Sequence, residues 1–391
     1  MESPTPASHL VDGLRQLITD IHRIPELSPR GLSDVVLAET RLLGFPESAV
    51  AYCGLPVEEL CDEGSFESVV WLLLNQSAAD PEQLADISAV LSESAVVEQP
   101  LADTIASMPL QTRSLDLFPL CLTLLSCFDP NPMDRTLNAA RSQFWRIMAQ
   151  VPVLLHVAFG GKLHEGRAFP DDSSRSLSYA GQLLQILRQD DRVPLPAEEQ
   201  AMNTLLICQC LTEMRPACFA ARFFGSTVTD IVAAVKAASS MYAAQLRNDP
   251  FAWTAERLES FKTPDAAEAW WNARSPRVMP FGFSSEPQEL RTELLSNECR
   301  NLLGSLPALV LEAAGTRLEK LLAREQHLFP TMDWMSVRLL MLLNVPSDRI
   351  ALAVGIARMA GWAAQCVEQH HTAIPLLPQL RYSAASADEV D

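Results

Sequence analysis

Apolar residues along this chain recur mostly at the spacing of helices. From about residue 80 to 228 one such stretch follows another, separated by short breaks such as Asp129-Pro130 and Pro194-Leu195-Pro196. Apolar residues three and four positions apart line one face of a helix, whereas strands alternate at every second position. No such alternation persists beyond a few residues. The pattern therefore predicts a mainly α fold.

The N-terminal region breaks this pattern. Residues 31–40 mix β-branched and polar side chains, which predicts a short strand or β hairpin. A Gly/Pro turn follows at Gly54 and Pro56, and Ser65 then precedes an apolar run. Because Ser accepts the free N–H groups of a first helical turn, we expect a helix to begin at Ser65.

Charge and cysteine usage exclude several function classes. The 48 acidic and 30 basic residues give a net charge of -18, which argues against nucleic acid or anionic membrane as a partner. The nine cysteines lie mainly in apolar runs, as reduced core residues do. Cys208 and Cys210 lack a second Cys or His pair at ligand spacing, so no metal site is predicted. No apolar run suits a membrane span and no signal peptide is evident, so we expect a cytoplasmic protein.

Asp333 is the carboxylate that most needs an explanation. It precedes an apolar run and is followed by Trp334, Val337 and Leu339. Apolar surroundings raise a carboxyl pKa, which is typical of functional sites. The alternative is that Asp333 caps the N-terminus of a helix.

The residues after Asp333 resemble a known family. The run Ile350–Trp362, with Glu368-Gln369 and Arg381-Tyr382 after it, is similar to the C-terminal signature of the citrate synthase family. Ser65-Phe66-Glu67 resembles another segment of that family, so the resemblance spans roughly residues 31 to 382. It implies a citrate-synthase-like fold, with a large helical domain (1–237), a smaller helical domain (238–345) that coincides with several prolines, and a return to the large domain (346–391).

The resemblance also implies a chemistry. These enzymes condense an acyl-CoA with a 2-oxo acid, and the aspartate aligned with Asp333 removes a proton. Histidines polarise the reacting carbonyls, because a developing enolate and alkoxide require fixed hydrogen-bond donors. Arginines hold the carboxylates. No bound cofactor is implied, and a coenzyme A thioester is a possible substrate.

Three histidines of the family pattern are replaced here. Tyr242 and Phe283 stand where the family has its two carbonyl-contacting histidines, and Gln209 stands where it has a substrate-binding one. None of the seven histidines of this chain lies in register with those positions. An arginine near the C-terminus is replaced by Gln379.

Two basic positions match the family. Arg291 follows the turn that contains Phe283, and Arg358 precedes Gly361-Trp362. Both are predicted to bind substrate. The alternatives are that Arg358 is a buried ion-pair partner and that Arg291 belongs to a solvated helix face.

The replacements favour a catalytically silent homologue, acting as a scaffold, a dicarboxylate sensor or the partner of an active paralogue. Conventional citrate synthesis is not expected. The alternative is a diverged condensing or thioester-cleaving acyltransferase, with Asp333 as base and the Tyr242 hydroxyl as donor. The family implies a homodimer, and a heterodimer with an active paralogue is a further option.

Overall fold

The described part of the chain forms sixteen helices and five short strands. The computed structural model describes residues 31–32, 35–45, 49–109, 111–131, 134, 136–170, 177–190, 192–227, 230–274, 279–286 and 289–378. The described residues up to Glu39 belong to one unit, and those from Thr40 onward belong to a second. The helices are α1 (Val57–Glu63), α2 (Phe66–Asn75), α3 (Pro81–Ser94), α4 (Gln99–Ala106), α5 (Ser114–Cys127), α6 (Leu137–Ala158), α7 (Tyr179–Arg188), α8 (Pro196–Cys210), α9 (Pro216–Gly225), α10 (Ile231–Gln245), α11 (Pro250–Ser260), α12 (Pro264–Ala273), α13 (Leu290–Asn301), α14 (Leu306–Gln326), α15 (Met332–Leu342) and α16 (Ser347–Thr372).

The mainly α prediction is confirmed, but the hairpin lies later than expected. The described residues between 31 and 40 form no strand. Strands β1 (Leu43–Gly44), β2 (Ala51–Tyr52) and β3 (Leu55–Pro56) form an antiparallel sheet in that order. Cys53 and Gly54, between β2 and β3, both have positive φ, as a tight two-residue hairpin turn requires. The turn residues therefore decide where the hairpin forms.

The predicted start of α2 is confirmed. The Ser65 hydroxyl accepts a hydrogen bond from the Ser68 N–H, and the Ser68 hydroxyl accepts one from the Ser65 N–H. This reciprocal arrangement satisfies two backbone donors at the helix end.

Helix α16 is the centre of the fold. Every residue from Ile350 to Gln369 is buried, and the helix packs against α5, α8, α9, α10 and α11. Its length and hydropathy would suit a membrane span, but its apolar window is wholly buried inside the fold. A Cβ atom at Gly361 would overlap the carbonyl oxygen of Cys210, so glycine permits the close crossing of α16 and α8.

Polar residues at the end of α16 tie it to the start of the second unit. Glu368 accepts hydrogen bonds from the Thr40 hydroxyl at 2.8 Å and the Arg41 N–H at 2.7 Å, and it pairs with Arg222. Gln369 also accepts from Arg222 at 3.2 Å. The Glu368-Gln369 part of the signature is therefore structural, whereas Gln379, Arg381 and Tyr382 lie outside the described residues.

A second small sheet positions the start of α15. Strand β4 (Phe283–Ser284) pairs antiparallel with β5 (Phe329–Pro330). The Thr331 N–H donates to the Gly282 carbonyl at 2.9 Å. These bonds hold the chain immediately before Asp333.

The division into large and small domains stays a prediction. Its first boundary, after residue 237, lies inside α10, which runs unbroken from Ile231 to Gln245. The described residues after Thr40 belong to one compact unit.

Candidate functional site

Asp333 is a buried ion-pair partner and not a helix cap. It is the second residue of α15, whose cap residue is Thr331. The residue is 6% exposed, and its carboxylate accepts a hydrogen bond from Arg358 Nη2 at 2.6 Å. Arg215 Nη1 lies 3.5 Å from its other oxygen. The capping interpretation was therefore wrong.

The charges around Asp333 keep it ionised. Burial raises the pKa of this carboxyl, but Arg358, Arg215 and the Gln209 amide lower it, and the net result is a pKa below the ordinary aspartate value. A carboxylate with a lowered pKa is a weaker proton acceptor. The apolar neighbours alone had suggested the opposite shift.

Gln209 joins the two members of the ion pair. It is completely buried on α8, and its side-chain oxygen accepts a hydrogen bond from Arg358 Nη2 at 2.9 Å. Its nitrogen donates to Ser336 Oγ at 2.8 Å and lies 3.4 Å from Asp333 Oδ1. Gln209 thus stabilises the resting ion pair.

The Tyr242 hydroxyl already has an acceptor. It donates a hydrogen bond to the carbonyl oxygen of Ala351 at 3.0 Å, and burial raises its pKa above the usual tyrosine range. Its ring lies 5.8 Å from the Trp362 ring and 5.4 Å from the Arg358 guanidinium. Because a phenol has one proton to donate, Tyr242 would have to break its hydrogen bond to the Ala351 carbonyl before it could donate one to a substrate.

A pocket of about 410 Å³ opens beside these residues. Of the predicted site residues, Asp333, Tyr242 and Arg358 line it, whereas Gln209, Arg291 and Phe283 are not among its lining residues. The lining residues are Thr212, Met214, Arg215, Pro216, Ala217, Cys218, Tyr242, Gln245, Leu246, Phe251, Phe281, Asp333, Arg358 and Trp362.

Arg291 is a structural residue of the core. It is 1% exposed, so the solvated-face interpretation was wrong. Its Nη1 donates to the Leu211 carbonyl at 2.6 Å, the Tyr52 hydroxyl at 3.1 Å and the Cys208 carbonyl at 3.3 Å. Its Nε bonds to Glu289. The predicted contact between Arg291 and a substrate carboxylate has no counterpart in this geometry.

Phe283 packs against Trp334 on α15, the helix that carries Asp333. Its ring centroid lies 4.7 Å from that of Trp334, in a tilted arrangement typical of aromatic pairs. The side chain offers no hydrogen bond, so its contribution is apolar packing.

Arg215 is the site residue that the sequence analysis missed. It immediately precedes α9, which starts with Pro216, and its side chain is 50% exposed while lining the pocket. The available signal was an arginine next to a helix-starting proline in the segment that follows Gln209. Nothing in that signal indicated the distance to Asp333.

No histidine lines this pocket in the part of the chain that the structure describes. Across the same described residues there is no group of three or more His, Cys, Asp or Glu side chains placed to hold a metal ion. What the site offers is two guanidinium groups, one carboxylate and an aromatic wall.

Comparisons with known proteins agree with this architecture. The family model "Citrate synthase, C-terminal domain" matches residues 31–377. The chain is 23% identical over 362 residues to citrate synthase 2 of Bacillus subtilis, covering 90% of this chain and 95% of that protein. It is 22% identical over 370 residues to 2-methylcitrate synthase 1 of Corynebacterium glutamicum, covering 92% and 96%.

A solved structure shares the fold. The ternary complex of Thermoplasma acidophilum citrate synthase with carboxymethyl coenzyme A and oxaloacetate superposes with a TM-score of 0.80 at 18% identity, covering 93% of this chain and 97% of that one. The family match covers most of the chain, and the helical architecture agrees with it. The chain belongs to the citrate synthase family.

Proposed function

We propose that this protein is a catalytically silent member of the citrate synthase family that binds a small carboxylate without condensing it. The observation that carries the proposal is the closed set of bonds in the site. Asp333 is bonded to Arg358, Gln209 braces both, and the Tyr242 hydroxyl is bonded to Ala351. The groups that would move protons already have partners.

The loss of donors supports the same conclusion. Removing one transition-state hydrogen-bond donor typically slows an enzyme by about a hundred- to a thousand-fold. Two carbonyl-contacting positions are changed here, to Tyr242 and Phe283. Since Phe283 cannot donate and the single proton of the Tyr242 hydroxyl is engaged by the Ala351 carbonyl, neither of these two positions supplies a free donor to a reacting oxygen in the resting site.

The proposal is tested by measuring coenzyme A release over a panel of acyl-CoA thioesters and 2-oxo acids. Wild type, Asp333→Asn and an active citrate synthase are assayed side by side. We expect wild type to release no more coenzyme A than Asp333→Asn. The active citrate synthase is the positive control for the assay. Release that is present in wild type and lost in Asp333→Asn would refute catalytic silence.

The alternative is a diverged acyltransferase that joins an acyl-CoA to a 2-oxo acid or cleaves a thioester. One observation favours it: Asp333, Tyr242 and Arg358 line the same pocket. In that mechanism the Tyr242 hydroxyl gives up its hydrogen bond to the Ala351 carbonyl and donates one to the enolate oxygen instead. Tyr242→Phe should then abolish turnover and leave folding nearly unchanged, and normal turnover in that variant would remove Tyr242 from the mechanism.

We also propose that the protein forms a homodimer, as the family resemblance implies. Half-buried Phe219 and Phe223 lie on α9 with ring centroids 6.3 Å apart, and Met241 on α10 is 41% exposed, which supports an apolar contact surface. Light scattering after size exclusion tests this proposal, and a monomer at micromolar concentration would contradict it. Co-expression with an active citrate synthase, followed by co-purification, distinguishes a homodimer from a heterodimer.

The cytoplasmic location stays a proposal.

A further inference from the structure

The charges that line the pocket count against a second carboxylate. Arg215 and Arg358 contribute two positive charges, Asp333 contributes one negative charge, and no other Asp, Glu, Lys, Arg or His lines the pocket among the described residues. The net charge of the lining is therefore +1. One ligand carboxylate neutralises this charge, whereas two would leave one negative charge without a cationic partner in the lining.

Arg291 does not change that count. The sequence pattern had paired it with Arg358 for a dicarboxylate. Its guanidinium instead bonds to the Leu211 and Cys208 carbonyls, the Tyr52 hydroxyl and Glu289, and it lies outside the pocket lining. A second carboxylate would therefore find no free guanidinium among the described residues of the pocket.

One end of the pocket is built to hold an anion. Arg358 is 6% exposed, yet its Nε has no hydrogen-bond partner. Helix α9, ten residues long, begins at this end, and no side chain caps it. The first-turn N–H groups of Ala217 and Cys218 face no acceptor among the described hydrogen bonds, and both residues line the pocket. A helix N-terminus with free N–H groups favours negative charge, and the half-exposed Arg215 lies beside it.

The rest of the pocket is apolar and largely aromatic. Phe251 and Phe281 have ring centroids 4.7 Å apart, and the rings of Trp362 and Tyr242 form another part of the wall. The volume of about 410 Å³ lies near the lower end for small-molecule sites. Such a space accommodates a single ring on a short chain. It is small for a coenzyme A thioester, whose phosphates would also meet a protein of net charge -18.

We propose that the ligand of this pocket is a monocarboxylate with an aromatic or similarly apolar body, such as an aryl 2-oxo acid. Its carboxylate binds at the N-terminus of α9 to Arg215 and the Arg358 guanidinium, and its ring packs among Phe251, Phe281 and Trp362. The inference deepens the proposed function by naming the class of carboxylate, and it rests on that function.

The first experiment compares ligands by isothermal titration calorimetry. Phenylpyruvate, pyruvate, oxaloacetate and succinate are titrated into the full-length protein, without coenzyme A. We expect phenylpyruvate to bind at least about tenfold more tightly than either dicarboxylate, since a tenfold ratio corresponds to the loss of one modest interaction. Pyruvate should bind more weakly than phenylpyruvate because it lacks the ring.

Variants distinguish the contribution of the ligand's carboxylate from the contribution of its ring. Arg215→Met should weaken every carboxylate about tenfold or more, whereas Arg300→Met, at an exposed position outside the pocket, should change nothing. Phe281→Ala should weaken phenylpyruvate and leave pyruvate unchanged. Asp333→Asn raises the net charge of the lining to +2, so it should shift the preference toward oxaloacetate.

The outcomes distinguish this inference from the proposed function. Tighter binding of oxaloacetate than of phenylpyruvate to wild type would overturn the ligand class and leave a silent carboxylate-binding protein standing. Absence of binding by all four acids would overturn both carboxylate proposals. Coenzyme A release in the separate turnover assay would overturn silence, while a phenylpyruvate preference would still support the ligand class.

Discussion

Two buried arginines that match the same family pattern have different surroundings in this molecule. Arg291 is enclosed by the Leu211 and Cys208 carbonyls, the Tyr52 hydroxyl and Glu289. Arg358 has one ionised partner, Asp333, and one amide partner, Gln209. Its Nε has no partner, and the residue lines a pocket. Both residues are at most 6% exposed.

The difference shows that burial alone does not distinguish a structural cation from a binding one. Each acceptor bonded to Arg291 belongs to the fold, so removing the side chain deprives buried oxygens of this donor. Arg358 keeps donor capacity for a ligand. Four substitutions test this comparison, and they are arranged by the size of the expected effect.

Arg291→Met should give the largest loss of stability. It removes the donor from two backbone carbonyls and a tyrosine hydroxyl in the core, and we expect the free energy of unfolding to fall by about 3 to 5 kcal/mol. Urea denaturation measures the change. Arg300→Met, on the exposed face of the same helix, is the matched control, with an expected change within about 0.5 kcal/mol. A loss as small as that of the control would show that Arg291 is dispensable to the fold.

Arg358→Met should cost less stability and remove ligand binding. Asp333 then keeps Arg215 and Gln209 as neighbours and faces a pocket that admits water, so we expect a loss of about 2 to 3 kcal/mol. The thermal shift produced by phenylpyruvate in wild type should disappear. If Arg291→Met, while folded, loses the ligand response and Arg358→Met retains it, the comparison of the two arginines is reversed.

Acid should destabilise the Arg358 region through Asp333. Arg358 and Arg215 hold the pKa of this carboxyl below its ordinary value despite burial, so its contribution to stability is complete above the unfolded pKa of about 3.9. The contribution is lost as pH falls through the lower folded value. Thermal unfolding between about pH 6 and pH 3 should therefore show a steeper acid loss in wild type than in Asp333→Asn. Parallel curves would mean that Asp333 has an ordinary pKa.

Tyr242→Phe should give the smallest effect. The ring still packs beside Trp362, and only the hydrogen bond to the Ala351 carbonyl is lost, at a cost of about 1 kcal/mol. Chemical denaturation measures this value. A change near zero would indicate that water replaces the hydroxyl at Ala351, which would make the exchange required by the enzymatic alternative easier.

Local patterns predicted the elements better than the contacts between them. Helical periodicity predicted the α class, and Ser65 predicted the start of α2 because a cap acts within three residues. The strand prediction for residues 31–40 misplaced the hairpin, since the positive φ angles of Cys53 and Gly54 decide the turn. Arg215 was missed because its ion-pair partner, Asp333, lies 118 residues further along the chain (333 − 215).

The sequence by itself determined the helical class and the family resemblance, and it led to the expectation that Gln209, Tyr242 and Phe283 stand in place of three histidines. Only the tertiary structure decided that Asp333 pairs with Arg358, that Arg291 serves the core and that Arg215 reaches the pocket. The physical reason is range. Periodicity, caps and turns act over a few residues, whereas the state of a buried charge depends on whichever distant side chains the packed helices bring within hydrogen-bond distance.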